Sequence, residues 1–213
     1  MKKMREIKGG IYLVIDPSLD KTVLTGKLKS VLQEKISVVQ IWDNFPSRQD
    51  NPELITSIAR LCHKKNVPVL INNRWEWINK AGLDGVHFDQ IPGDLEKIKG
   101  KIKREFIAGL TCSDDLSLVR WADENNMDYI SFCSVFPSAT ATSCELVNFE
   151  TIKEARKMTT LPIFLSGGIK PENMEKLKGL SFDGIAVISG VMNSVLPDES
   201  VKKYLRKLEA KSI

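Results

Sequence analysis

The chain has 213 residues, of which 42% are hydrophobic and 27% charged, with a formal net charge of +4. That balance suits a single globular domain over residues 1–213 and excludes a disordered or fibrous chain. The small excess of Lys and Arg is spread along helical stretches, which argues against nucleic acid as a partner and suits a small anionic ligand. In chain order, apolar β-branched runs predict strands at Ile11–Asp16, Val38–Trp42, Val67–Asn72, Gly85–Phe88, Phe106–Leu110, Tyr129–Cys133, Ile163–Ser166 and Gly184–Ile188. Amphipathic stretches between them predict helices at Glu53–Lys65, Leu116–Glu124, Phe149–Lys157, Glu172–Lys178 and Glu199–Leu208. Trp75 and Trp77 flank Glu76 at another helix start and are expected to pack a helix against strands. His87, at the end of the fourth strand, is expected to be buried and satisfied by backbone groups.

Strands that are apolar almost throughout, in strict β-then-α order, describe a parallel sheet covered by helices. An open doubly wound sheet would carry a glycine-rich phosphate turn after its first strand. Here that turn is Asp16-Pro17-Ser18, so the closed alternative is favoured: an α/β fold, a single-domain (β/α)8 TIM barrel. Two late segments add a ligand. The seventh strand runs into Gly167-Gly168-Ile169-Lys170-Pro171, and the eighth ends at Ile188 before Ser189-Gly190. Each places small residues where a helix should begin, so main-chain N–H groups at Gly167, Gly168, Ile188 and Ser189 are candidates to bind one phosphate.

Cys62, Cys112, Cys133 and Cys144 lack metal-pair spacing, and His63 and His87 are the only imidazoles, so the cysteines are expected to be reduced and mostly buried. No apolar run reaches the length of a membrane span. The basic start leads into no signal core, so the expected location is cytoplasmic, with no membrane partner. Phe136–Val147, rich in Ser, Thr and Ala, reads as a long loop at the barrel rim.

These pieces resemble the thiamine phosphate synthase family, whose near relatives include the thiazole tautomerases. The resemblance runs from Tyr12-Leu13-Val14-Ile15-Asp16 and Val38-Val39-Gln40-Ile41-Trp42 through Leu70-Ile71-Asn72-Asn73-Arg74 and Asp84-Gly85-Val86-His87-Phe88-Asp89-Gln90. It continues through Val135-Phe136-Pro137-Ser138-Ala139-Thr140 to Ser166-Gly167-Gly168-Ile169 and Asp183-Gly184-Ile185-Ala186-Val187-Ile188-Ser189. It implies a transferase of thiamine biosynthesis that joins a hydroxymethylpyrimidine diphosphate to a thiazole phosphate with release of pyrophosphate, assisted by Mg2+. It also implies that Gln40, Asn72, Ser138 and Thr140 line the substrate cavity. The ligand would be a small phosphorylated heterocycle, thiazole phosphate or thiamine phosphate.

Against the family pattern, Ile41-Trp42-Asp43-Asn44 stands where Leu-Arg-x-Lys is usual, Asn73 replaces an acidic metal ligand, and Pro92 replaces another. Asn73 and Asp89 are the remaining weak metal candidates, with Asp43 and Asp94 as conceivable replacements and Arg48, Arg74 or Lys170 as conceivable phosphate partners. A thiazole tautomerase, or a non-catalytic binder of the same phosphate esters, stays open as an alternative. The tautomerase histidine position matches Ser113. No residue is assigned a catalytic role, and a homo-oligomer is left open.

Overall fold

A computed structural model describes residues 7–46, 51–138 and 145–210. Eight parallel strands close into a barrel in sequence order: β1 (Gly10–Ile15), β2 (Val38–Ile41), β3 (Val69–Asn72), β4 (Gly85–Phe88), β5 (Ile107–Thr111), β6 (Tyr129–Cys133), β7 (Ile163–Ser166) and β8 (Gly184–Val187). Closure is made by β1, which pairs Leu13 with Val39 of β2 on one side and with Val187 of β8 on the other. Around them run α1 (Lys21–Val31), α2 (Pro52–His63), α3 (Trp77–Lys80), α4 (Leu95–Ile102), α5 (Leu116–Glu124), α6 (Phe149–Met158), α7 (Ser189–Met192) and α8 (Pro197–Glu209).

The helix starts are chemically marked. Asp20, Asn51, Asp94, Asp115 and Asn148 each accept a hydrogen bond from a first-turn amide of the helix that follows, a cap worth about 1 kcal/mol each. Asp94 is engaged as the cap of α4, through the amide of Lys97 at 2.9 Å, and is not among the residues that line the cavity described below. The helix expected at Glu172–Lys178 is a 3-10 turn, Met174–Leu177. Its preceding Asn173 explains the difference. The side chain accepts from the amide of Lys170 at 2.8 Å and donates to the carbonyl of Gly168 at 2.9 Å, so it buttresses the glycine loop instead of opening a helix.

Strand parity divides the core in two. Outward residues such as Ile11, Leu13, Ile15, Val39, Ile71, Leu110, Phe132 and Leu165 pack under the helices. Trp77 is buried there and Trp75 packs partly buried against the same core, as expected. Inward residues Tyr12, Val14, Val38, Leu70, Ile107, Tyr129 and Phe164 fill the barrel interior. The rings need room, and glycine supplies it: a Cβ on Gly109 would lie 2.0 Å from the Tyr129 ring, and one on Gly184 would lie 2.3 Å from the Phe164 ring. Burying each of these rings contributes about 1.5–3 kcal/mol. Together they plug the lower barrel, so the open space lies at the C-terminal ends of the strands.

Candidate functional site

Continuing along the same inward parity, the residues turn polar: Gln40 and Trp42 after Val38, Asn72 after Leu70, Thr111 after Ile107, Ser131 after Tyr129 and Ser166 after Phe164. A cavity of about 690 Å³ opens above them at the C-terminal mouth. This is the end of a parallel barrel where loops of many lengths can be carried without disturbing the core. Gln40, Asn72, Ser138, Gly167, Gly168, Ile188 and Ser189 all line this one cavity. Thr140 lies outside the described residues, as do Arg48 and Cys144.

Two loops form one wall. Ser166 of β7 is in register with Ala186 of β8, so the turns that follow these strands are neighbours. Among the described residues, the amides of Gly167, Gly168, Ser189 and Gly190 have no hydrogen-bond acceptor. Gly167 and Gly168 sit at φ +86° and +63°, and a Cβ would lie 1.8 Å from Ser134 Oγ or 2.4 Å from the Pro137 carbonyl. Only glycine fits either position. The loop after β6 is strapped to them by Val135 N–H donating to Ser166 O at 2.9 Å and Phe136 N–H donating to Gly167 O at 3.1 Å. Beneath, the Tyr204 hydroxyl of α8 donates to Ile169 O at 2.9 Å, and a Cβ on Gly190 would come within 2.1 Å of that same hydroxyl. Burial pushes the Tyr204 phenol up to about 12. The tyrosine thus remains a neutral donor and ties the two loops to one helix.

The floor is a continuous side-chain chain of hydrogen bonds. Tyr12 Oη donates to Gln40 Oε1 in a short contact, and the Tyr12 and Tyr129 hydroxyls lie 2.9 Å apart. Tyr129 Oη is 2.8 Å from His87 Nδ1, His87 Nε2 is 2.9 Å from Thr111 Oγ1, and Thr111 Oγ1 is 3.2 Å from Ser131 Oγ. His87 is satisfied by side chains and not by the backbone groups expected for it. The expectation failed because the partners come from β5 and β6 and are visible only once the barrel closes. Burial lowers the His87 pKa to about 4, although the nearby Asp89 carboxylate opposes the shift. Burial likewise drives the Tyr12 and Tyr129 hydroxyls well above their ordinary range. At neutral pH the floor is polar and uncharged.

Of the described lining residues, Lys170 carries positive charge and Asp89 negative charge. The Asp89 oxygens accept from Asn72 Nδ2 at 2.9 Å and from Asn73 Nδ2 at 2.8 Å. Asn73 lines a separate shallow groove with Trp75 and Pro92. Asp43 receives Arg74 Nε at 2.5 Å, and the Arg74 guanidinium also lies 5.0 Å over the Phe45 ring. Arg74 thus pairs with Asp43 and is not among the residues that line the cavity. No group of three metal-ligating His, Cys, Asp or Glu side chains occurs among the described residues. A hard cation such as Mg2+ wants carboxylates plus phosphate oxygens. Among the described lining residues Asp89 is the one carboxylate, so a Mg2+ here would take most of its ligands from substrate phosphate oxygens and water. Cys62 and Cys112 are buried and Cys133 is partly buried, and none of the three forms a disulfide among the described residues.

Sequence reading missed Tyr12, His87, Thr111, Ser131 and Tyr129 as site residues. The signal was present: polar groups recurring at one parity of strands whose other parity is wholly apolar.

A family model described as thiamine monophosphate synthase matches residues 11–191. A thiamine-phosphate synthase of Clostridium tetani is 32% identical over 206 residues, spanning 93% of each chain. One from Methanobrevibacter smithii is 26% identical over 98% of this chain and 100% of its own. Among solved structures, a thiamine phosphate pyrophosphorylase from Pyrococcus furiosus superposes with a TM-score of 0.81 at 22% identity, over 96% of this chain and 98% of that one. At that identity the superposition speaks for the fold alone.

Proposed function

Because this chain belongs to the thiamine monophosphate synthase family, we propose that it joins a hydroxymethylpyrimidine diphosphate to a thiazole phosphate at the barrel mouth, leaving thiamine phosphate and free pyrophosphate. In that exchange the thiazole nitrogen gives its lone pair to the pyrimidine methylene carbon. The carbon–oxygen bond to the diphosphate breaks, and its electron pair leaves with pyrophosphate. No oxidant or reductant is needed.

The observation that carries the reading is one cavity in which a wall of unpaired amides faces a neutral polar floor. The amides at Gly167, Gly168, Ser189 and Gly190 would hold the thiazole phosphate, with donors fixed before the ligand arrives. The floor, from Gln40 to Ser131, and the half-buried indole of Trp42 would receive the flat heterocycles. Among the described lining residues, Lys170 is the cation offered to departing negative charge. With one cation among the described lining residues, departure of pyrophosphate is the demanding step, and slow turnover is expected. The tautomerase alternative gains nothing from the geometry. Ser113 lines the cavity but has no proton to exchange near neutrality, and both His87 nitrogens are engaged.

The test is incubation of the purified chain with both substrates and chromatography of the products. Thiamine phosphate and pyrophosphate should appear in equal amounts. Absence of thiamine phosphate at high enzyme concentration, or pyrophosphate without it, would refute the reading.

A further inference from the structure

The floor chain has a direction. Gln40 Oε1 can only accept, so the single hydroxyl hydrogen of Tyr12 is spent on it. Tyr12 must then accept from Tyr129, and Tyr129, its own hydrogen used, must accept from His87 Nδ1–H. A neutral imidazole with hydrogen on Nδ1 has an acceptor at Nε2, which takes the hydrogen of Thr111, and Thr111 in turn accepts from Ser131. One other order uses the hydrogens of Tyr12, Tyr129 and Thr111 and leaves that of Ser131 to the cavity it lines. It is the complete reversal, with Gln40 turned over so that its amide nitrogen faces Tyr12 and with His87 protonated on Nε2.

At the far end, Gln40 is 6% exposed and lines the cavity. Its amide nitrogen has no hydrogen-bond partner among the described residues. We propose that Tyr12, Tyr129, His87 and Thr111 are positioning residues whose one-way hydrogen-bond order fixes Gln40 as a donor into the cavity. The group it selects on a bound ligand is a hydrogen-bond acceptor, a ring nitrogen or carbonyl, and not an amine. The tautomer of His87, two tyrosines away, reports which face Gln40 presents. This coupling is independent of the proposed reaction, because it is a property of the unliganded chain.

The test is 15N nuclear magnetic resonance of the full chain at neutral pH. The chain has two histidines, so the His87 ring nitrogens are assigned against a His63→Gln variant. Wild type should show His87 as the Nδ1–H tautomer. Gln40→Met removes the terminal acceptor, so the forward order would strand the Tyr12 hydrogen inside the barrel, while the reverse order passes it to Tyr129 and leaves only the Ser131 hydrogen, which faces the cavity. The signature should switch to Nε2–H, favoured roughly tenfold or more by one stranded buried hydroxyl. Gln40→Glu restores an acceptor oxygen and should restore Nδ1–H. A merely structural role for Gln40 would not move a proton on a ring it does not touch. An Nε2–H signature in wild type overturns the proposal without recourse to any variant. An unchanged signature in Gln40→Met, or failure of Gln40→Glu to restore Nδ1–H, overturns it as well.

Discussion

Acidification should destabilise this barrel through His87 in particular. An ordinary histidine has a pKa of 6.5, and burial between Tyr129 and Thr111 lowers this one to about 4. Between those values the unfolded chain binds a proton that the folded chain refuses, so stability falls as pH drops from about 6.5 toward about 4 and is level above 6.5. At about 1.4 kcal/mol per unit, the loss is about 3 kcal/mol. That is a large share of the roughly 5–15 kcal/mol that holds a domain folded. Urea unfolding of wild type and His87→Gln from pH 7 to pH 4 isolates the effect, because every carboxylate is common to both proteins. The wild-type midpoint should fall more than the variant's, by on the order of 1 M urea. Parallel profiles would show that His87 takes up its proton in the folded barrel, and the buried, neutral floor would have to be abandoned.

Gly168→Ala forces a Cβ to 2.4 Å from the Pro137 carbonyl at φ +63° and should destabilise the fold by about 1–3 kcal/mol, read as a lower thermal midpoint; an unchanged midpoint would contradict the loop geometry. Because of that clash, Gly168→Asp would mix steric with electrostatic effects, and exposed Ser189 is the cleaner place for a negative charge. Ser189→Asp should weaken thiamine phosphate binding roughly a hundredfold by calorimetry, through like charges a few ångströms apart, while leaving the melting temperature within a few degrees; retained affinity would remove Ser189 from the phosphate wall. Pyrophosphate alone should bind weakly, with less than about a tenfold gain on adding Mg2+, since Asp89 is the one carboxylate among the described lining residues. A metal-dependent gain of two orders of magnitude would show a cation site that the described residues do not form.

The barrel was legible because its information is local and repetitive. Runs such as Tyr129–Cys133 and Ile163–Ser166 are apolar on the outward face and begin apolar on the inward one, and glycine-bearing turns after β7 and β8 mark where a phosphate can approach the main chain. The strand ends slipped by a residue or two where capping or a first unpaired residue decides the boundary, as at β3, which begins at Val69 and not Val67. The 3-10 turn at Met174–Leu177 was not legible, since the competing partner of Asn173 is a carbonyl five residues back in a loop. The wall residues were placed by their neighbours in sequence. The floor was not, because Gln40, Tyr12, Tyr129, His87 and Thr111 come from five strands and meet only through closure of β1 on β8. Asp43, Asp89 and Asp94 show the converse: acidic residues that read as spare ligands are committed to an arginine, two amides and a helix cap.

The most direct test of the account is a crystal structure of the chain soaked with thiamine phosphate. The phosphate should lie between the Gly167-Gly168 turn and the Ser189-Gly190 turn, with the heterocycles over Gln40 and Trp42. Phosphate density elsewhere on the barrel, with those amides still facing solvent, would contradict it.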